Sequence, residues 1–263
     1  MCSTCGCSDE AATRVSLVDG PEPVHTHDHP HDHDHQHPHP HPHQHQHEHG
    51  TRTVLLEQDI LAKNDLLAAA NRHRLTEHAV TAINLMSSPG SGKTTLLERT
   101  VRDLAGRRET LVIEGDQETW LDAERIRATG SRVVQINTGA GCHLDAEMLD
   151  RGLLELAPPD GSLVFVENVG NLVCPALFDL GESARVVIIS VTEGADKPAK
   201  YPYMFRTADL VLLNKIDLLP YVDFDVDLCL GLIRRLQPDV ELLPISATRG
   251  DGLDAWHSWL AAR

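Results

Sequence analysis

Residues 81–97, TAINLMSSPGSGKTTLL, restrict this chain more than any other stretch. An apolar run ends in a loop with two glycines, and a lysine and two threonines open an apolar helical pattern. Residues 87–94 read as a phosphate loop, in which Gly90 and Gly92 let backbone N–H groups face phosphate oxygens. Lys93 is placed to reach the β- and γ-phosphates, and Thr94 to ligate magnesium. Ser91 and Thr95 complete the turn, so Gly90, Ser91, Gly92, Lys93, Thr94 and Thr95 are the candidate phosphate contacts. The helix that follows presents its N-terminus to the anion. The usual pattern G-x-x-x-x-G-K-[ST] begins with glycine, and here that position is Ser87.

The rest of the chain alternates as this loop requires. TLVIEGD (110–116), RVVQIN (132–137), SLVFVENV (162–169), RVVIISV (185–191), LVLLNK (210–215) and ELLPIS (241–246) are near-continuous apolar runs. Strands covered on both faces read this way. Helical patterns such as WLDAERIRAT (120–129) and DAEMLDRGLLEL (145–156) separate them. The expected fold is α/β, a P-loop NTPase with a doubly wound, mostly parallel sheet and helices on both faces. The expected boundaries are a disordered metal-binding tail over 1–50, a helical segment over 51–80 and the nucleotide domain over 81–263. Ligands belong at the carboxyl ends of the strands.

NKID (214–217) follows a strand about 120 residues after the phosphate loop. The two oxygens of Asp217 match guanine N1–H and N2–H₂, which adenine does not present in that arrangement. A carboxylate there selects GTP by leaving the wrong base unpaired. Asn214 and Lys215 shape the base pocket, and Ser246 and Ala247, in SAT after the last strand, fit a loop whose N–H meets guanine O6. In FVENVGN (165–171), Glu167 stands where a carboxylate holds magnesium-bound water, and Gly170 where a backbone N–H senses the γ-phosphate. Asp116, ending IEGD, is a second candidate for magnesium or for the attacking water. Lys93, Thr94, Asp116 and Glu167 are the expected catalytic set. No arginine stands in an obvious finger position, so slow intrinsic turnover is expected.

Cys142 and His143 lie together in NTGAGCHLDAEM, and Cys174 follows Gly170 by four residues in NLVCP. Two thiolates and an imidazole form a soft metal site. Adjacent side chains often point apart, so ligands from a second chain are one way to complete it. Cys229, in an apolar helical pattern, reads as a core residue. Cys174 continues from the segment that begins at Glu167 and Gly170, so movement of that segment with the γ-phosphate would move a metal ligand.

The amino-terminal part differs in kind. From His25 to His49 every odd position is histidine, which accounts for thirteen of the chain's 17. Pro30, Pro38, Pro40 and Pro42 exclude a stable helix. An extended segment lines the imidazoles on one face, with Asp28, Asp32, Asp34 and Glu48 between them. Such an array suits several ions with adaptable geometry, a store rather than a shaped site. Cys2, Cys5 and Cys7 in MCSTCGC form a further thiol cluster, suited on ligand type to square-planar nickel or tetrahedral zinc.

The formal net charge of -16 argues against nucleic-acid binding, which needs a basic face. No run of eighteen apolar residues marks a membrane span, and residues 1–10 lack a secretory pattern. Six cysteines without such a pattern are expected as thiols in a reducing cytoplasm. Residues 51–75 read as a helix or two, with Val54, Leu55, Ile60, Leu61, Leu66 and Leu67 as its apolar stripe. That segment either docks on the sheet or joins a dimer contact. Lys197 and Lys200, in DKPAKYPYMF, serve nucleotide, interface or solvent equally well.

SSPGSGKTTLL, IEGD, NTGAGCHLDA, ENVGNLVCP, EGADKPAKYPYMF and NKIDLLPY together resemble the nickel-incorporation GTPases of hydrogenase maturation, the HypB family. The resemblance spans about residues 53–263, and CSTCGC and the histidine run resemble features of some members. It implies a GTP-dependent homodimer that hydrolyses GTP to GDP with Mg²⁺. It also implies nickel or zinc at Cys142, His143 and Cys174 near a dimer interface. Nickel delivery to the large subunit of [NiFe]-hydrogenase is implied, with a HypA-type metallochaperone and a SlyD-type isomerase as partners. A nickel or zinc storage protein with a regulatory GTPase domain is the competing reading. A third is the urease nickel-insertion GTPases, against which ENVGNLVCP, the adjacent Cys142–His143 and the terminal thiols favour the hydrogenase branch.

Overall fold

The structure, a computed structural model, describes residues 14–17, 49–116, 120–139 and 141–263, with side chains from residue 59 onward. Strands β1 (Arg14–Leu17), β2 (Thr81–Ser87), β3 (Thr110–Asp116), β4 (Val133–Asn137), β5 (Leu163–Glu167), β6 (Ala184–Ser190), β7 (Leu210–Asn214) and β8 (Glu241–Pro244) form one sheet. Their order is β1-β4-β3-β5-β2-β6-β7-β8. Every neighbouring pair is parallel except β1 with β4. The parallel α/β sheet expected from the apolar runs is therefore observed.

Helices α1 (His49–Glu77), α2 (Lys93–Leu104), α3 (Leu121–Arg127), α4 (Ala146–Leu156), α5 (Cys174–Leu177), α6 (Lys197–Lys200), α7 (Pro202–Arg206), α8 (Val226–Leu236) and α9 (Leu253–Ala261) surround it. Alternation along the strands splits the core between the two faces. Ile83 and Leu85 of β2 face one cluster with Leu96, Leu97, Phe165 and Trp256. Ala82 of the same strand faces a second cluster with Leu144, Leu149 and Leu153, and Met86 a third with Phe205 and Leu213. Trp256 is fully buried and its Nε1–H donates to Thr100 Oγ1 at 2.9 Å, so the indole dipole is satisfied inside the core. β2 lies between β5 and β6, where the chain winds outward both ways, and such a switch point opens a crevice at the carboxyl ends.

Two expectations are corrected. Residues 14–17, placed in a disordered tail by composition, pair antiparallel with β4. Four residues carry too little alternation to stand out in a polar segment. The helical segment is one helix whose inner face is not the leucine stripe. Ile60, Leu61 and Leu66 are exposed, whereas Asn64, Ala68, Asn71 and Leu75 are buried. The buried spacing is helical, but two of its members are asparagines that bond to backbone at the start of α4 and in the loop after α5, which hydrophobic periodicity cannot register. Val54 and Leu55 lie where side chains are not described.

Candidate functional site

The phosphate loop is built as its glycines require. Gly90 and Gly92 have φ of 75° and 97°, left-handed values that glycine alone adopts freely. A Cβ on Gly92 would stand 2.6 Å from Asn214 Nδ2, so the position also lacks room for a side chain. α2 begins at Lys93 with no side-chain cap, leaving its first N–H groups for an anion. Lys93 Nζ donates to Ser87 Oγ at 2.8 Å. The serine that replaces the usual first glycine thus holds the lysine over the loop. Burial, before any neighbour, lowers the Lys93 pKa, with Glu167 opposing it.

Thr94 Oγ1 donates to Glu167 Oε1 at 2.7 Å, while Glu167 Oε2 is buried without a hydrogen-bond partner. An orphaned carboxylate oxygen beside a phosphate-loop threonine fits a divalent cation. Burial raises the Glu167 pKa, with Lys93 and the Thr94 hydroxyl opposing. A cleft of about 540 Å³ joins the loop to Asp116, Glu167, Gly170 and Lys215. A Cβ on Gly170 would touch Pro89 at 3.2 Å, so this residue lies against the phosphate loop.

Three charged lining residues were not read from the sequence. Glu114 lies two residues before Asp116, and its carboxyl is pushed up to about 9, by burial first and then by Glu167, Asp116 and Asp122. An acid inside an apolar strand was the available signal. Asp122 and Arg125 reach the cleft from α3. Arg125 Nη2 bonds Glu98 at 2.9 Å and Thr95 Oγ1 at 3.4 Å, while Nη1 bonds Asp122 at 3.1 Å. An arginine therefore does line the cleft. Nothing in its local pattern separates it from a solvated helical face.

At the far end Asn214 Nδ2 donates to Ser91 O at 2.9 Å, and Asn214 Oδ1 accepts from the N–H groups of Lys215 and Ala247. One side chain thereby joins the phosphate loop to the loop after β8. Lys215, at φ 63°, sends Nζ to Gly90 O at 2.7 Å. Ser246 Oγ donates to Asp217 Oδ1 at 2.6 Å and fixes that carboxylate against the loop after β8, whereas Asp217, Ser246 and Ala247 do not line the cleft itself. Lys197 pairs with Glu193, which accepts from Ser88 Oγ in the phosphate loop, whereas Lys200 pairs with Asp196.

The soft-ligand set is assembled within one chain. Cys142 Sγ, a ring nitrogen of His143 and Cys174 Sγ lie within 4.8 Å of one another. Tetrahedral zinc with thiolate ligands has a ligand-to-ligand edge of about 3.8 Å. The Cys142 Sγ to His143 Nδ1 separation is 3.7 Å. Phe178 stacks on His143 with centroids 4.1 Å apart, and burial lowers the imidazole pKa, favouring the neutral, ligating form. Cys229 is a core residue instead, its thiol pushed up to about 12 by burial. The thiol cluster Cys2, Cys5 and Cys7 and nearly all of the histidine run lie outside the described residues.

Two segments join the sites. Glu167 and Gly170 of the cleft run directly into Cys174. Asn168, between them, accepts from the Leu144 N–H at 3.1 Å, next to His143. Leu144 also packs on Gly115, where a Cβ would stand 2.7 Å from its Cγ.

The family described as CobW/HypB/UreG, nucleotide-binding domain, matches residues 79–244. The hydrogenase maturation factor HypB of Azotobacter vinelandii is 58% identical over 210 residues, covering 80% of this chain and 69% of that protein. The crystal structure of HypB from Archaeoglobus fulgidus superimposes with a TM-score of 0.72 at 40% identity, covering 77% of this chain and 98% of the other. HypB from Helicobacter pylori, solved in complex with nickel, gives 0.71 at 37% identity over 76% and 94%. The chain belongs to the CobW/HypB/UreG family of nucleotide-binding proteins, in its HypB branch.

Proposed function

We propose that this protein is a GTP-hydrolysing nickel chaperone that supplies nickel during [NiFe]-hydrogenase maturation. The observation that carries the reading is continuity: the segment from Glu167 to Gly170 lines the nucleotide cleft and leads into Cys174, which meets Cys142 and His143. The similarity to a HypB solved with nickel supports the choice of metal.

Lys93 supplies positive charge at the transferring phosphoryl group, and the N–H groups at the start of α2 hold its oxygens. Thr94 and the free oxygen of Glu167 would hold Mg²⁺. Bound there, the ion supplies charge neutralisation at the β- and γ-oxygens. Asp116 and Asp122, which line the cleft, would order the attacking water. Asp217, Ser246 and Ala247 select guanine. Nickel, the cargo, takes the two thiolates and the imidazole, and the histidine run holds a reserve.

The same reading proposes a GTP-dependent homodimer in the cytoplasm, a HypA-type acceptor, the hydrogenase large subunit as recipient and a SlyD-type isomerase. Zinc is a second metal for the thiol sites. Among the described residues no helix is long and apolar enough to cross a membrane. The histidine run favours a second reading, storage, and deletion of residues 25–49 separates the two. Delivery predicts hydrogenase maturation that survives the deletion in nickel-rich medium. A maturation defect that persists with abundant nickel would reject delivery from the folded domain.

A further inference from the structure

Two asparagines of α1 hold both segments that carry the metal ligands. Asn64 Oδ1 accepts the Ala146 N–H at 3.0 Å, and its Nδ2 donates to Asp179 O at 2.7 Å. Asn71 Nδ2 donates to Ala146 O at 2.8 Å and to Leu180 O at 2.9 Å. Ala146 lies three residues after His143. Asp179 and Leu180 follow Phe178, which stacks on the His143 ring, and lie on the segment that begins with Cys174. Each asparagine therefore ties the Cys142–His143 segment to the Cys174 segment.

These side chains are buried, at 5% and 1% exposure, on a face where a helix that merely packs would present leucine. Leucine residues are available on α1, yet Leu66 is 75% exposed. The polar inner face thus holds backbone at a defined spacing. α1 begins at His49, the last histidine of the run, so the same helix leads from the histidine-rich segment to the folded metal site.

We infer that α1 is a positioning element of the Cys142–His143–Cys174 site, acting through Asn64 and Asn71, so that metal affinity is set from α1 as well as from the nucleotide. The inference rests on reading that cluster as the nickel site. Groups that hold a ligand set from outside commonly change metal affinity 10- to 100-fold when removed. The nucleotide cleft contains no residue of α1, so hydrolysis does not depend on either asparagine.

The test uses the full chain carrying Cys2→Ser, Cys5→Ser and Cys7→Ser, with Cys142 and Cys174 then the thiols available to nickel. Nickel(II) is titrated against a chromophoric chelator while the thiolate-to-nickel absorption band is followed, and GTP hydrolysis is measured beside it. Asn64→Ala and Asn71→Ala should each weaken the thiolate-bound nickel about 10- to 100-fold and shift the band, with hydrolysis within about twofold. Asn64→Asp, which keeps the acceptor for Ala146 and loses the donor to Asp179, should show part of the loss. It also decides the matter if an alanine variant does not fold. An unchanged band and affinity in folded Asn64 variants would overturn the inference, as would hydrolysis falling in step with affinity. Cys142→Ser separates the two levels. A band that survives it removes the metal-site reading and this inference together. A band that it abolishes, with parental affinity in the asparagine variants, removes the inference alone.

Discussion

The nucleotide cleft and the soft-ligand cluster lie side by side at the carboxyl ends of the strands but are held differently. In and beside the cleft, side chains are fixed by direct hydrogen bonds at one sheet edge: Lys93 by Ser87, Thr94 by Glu167, Asn214 by Ser91 and Ala247. In the cluster Cys142 and His143 come from a loop and Cys174 from the start of α5, and both segments are tied to α1 by asparagines and to the cleft by Asn168. The first arrangement suits a reaction that needs fixed charges. In the second, small shifts of either segment alter the ligand spacing.

Lys93→Ala separates the two regions most sharply. Hydrolysis should fall about 100- to 1,000-fold, the scale of losing one charge-stabilising group, with nickel binding retained. A steady-state phosphate-release assay checks it, and unchanged turnover would remove the phosphate-loop assignment. Cys142→Ala is the reciprocal change. It should weaken nickel at the folded site at least about 100-fold, at or beyond the top of the cost of losing an outer-shell partner, and leave GTP binding intact. Chelator competition measures this, and parental affinity would place the metal elsewhere.

Asp217→Ala should cost about 10- to 100-fold in GTP affinity while ATP affinity stays level, since hydrogen bonds to a charged group are lost. Equal losses for both nucleotides would move the base site. The smallest effect concerns Glu114. Its unfolded carboxyl ionises near 4.5, whereas burial and then neighbouring carboxylates push it up to about 9 in the fold. Stability is therefore fully present below the lower value and lost as pH rises toward the upper one. Without nucleotide or metal, thermal melts of Glu114→Gln should decline less between about pH 5 and about pH 9 than the parent, by about 2–4 °C per kcal/mol removed. Parallel declines would show that Glu114 ionises normally.

What could be read from the sequence follows the same division. The phosphate loop, NKID and the parallel strands are contiguous patterns whose chemistry is local; the loop and the strands form as read, and of NKID Lys215 reaches the cleft. Cys142, His143 and Cys174 were legible as residue types, but their convergence within one chain depends on loop geometry. Asp122 and Arg125 reach the cleft from a short helix, and Asn64 and Asn71 bury polar groups on a face where periodicity favours leucine. Those contributions are tertiary. β1 shows the same limit at the sheet edge, where four residues pair without a pattern of their own.

On the proposed function, nucleotide state sets metal affinity through the segment between Glu167 and Cys174. This coupling is tested most directly by nickel affinity at the folded site, in the chain with Cys2, Cys5 and Cys7 replaced by serine. The protein is bound either to GDP or to a non-hydrolysable GTP analogue. A clear difference between the two states that Cys142→Ala abolishes is expected; equal affinities in both states would sever the metal site from the nucleotide.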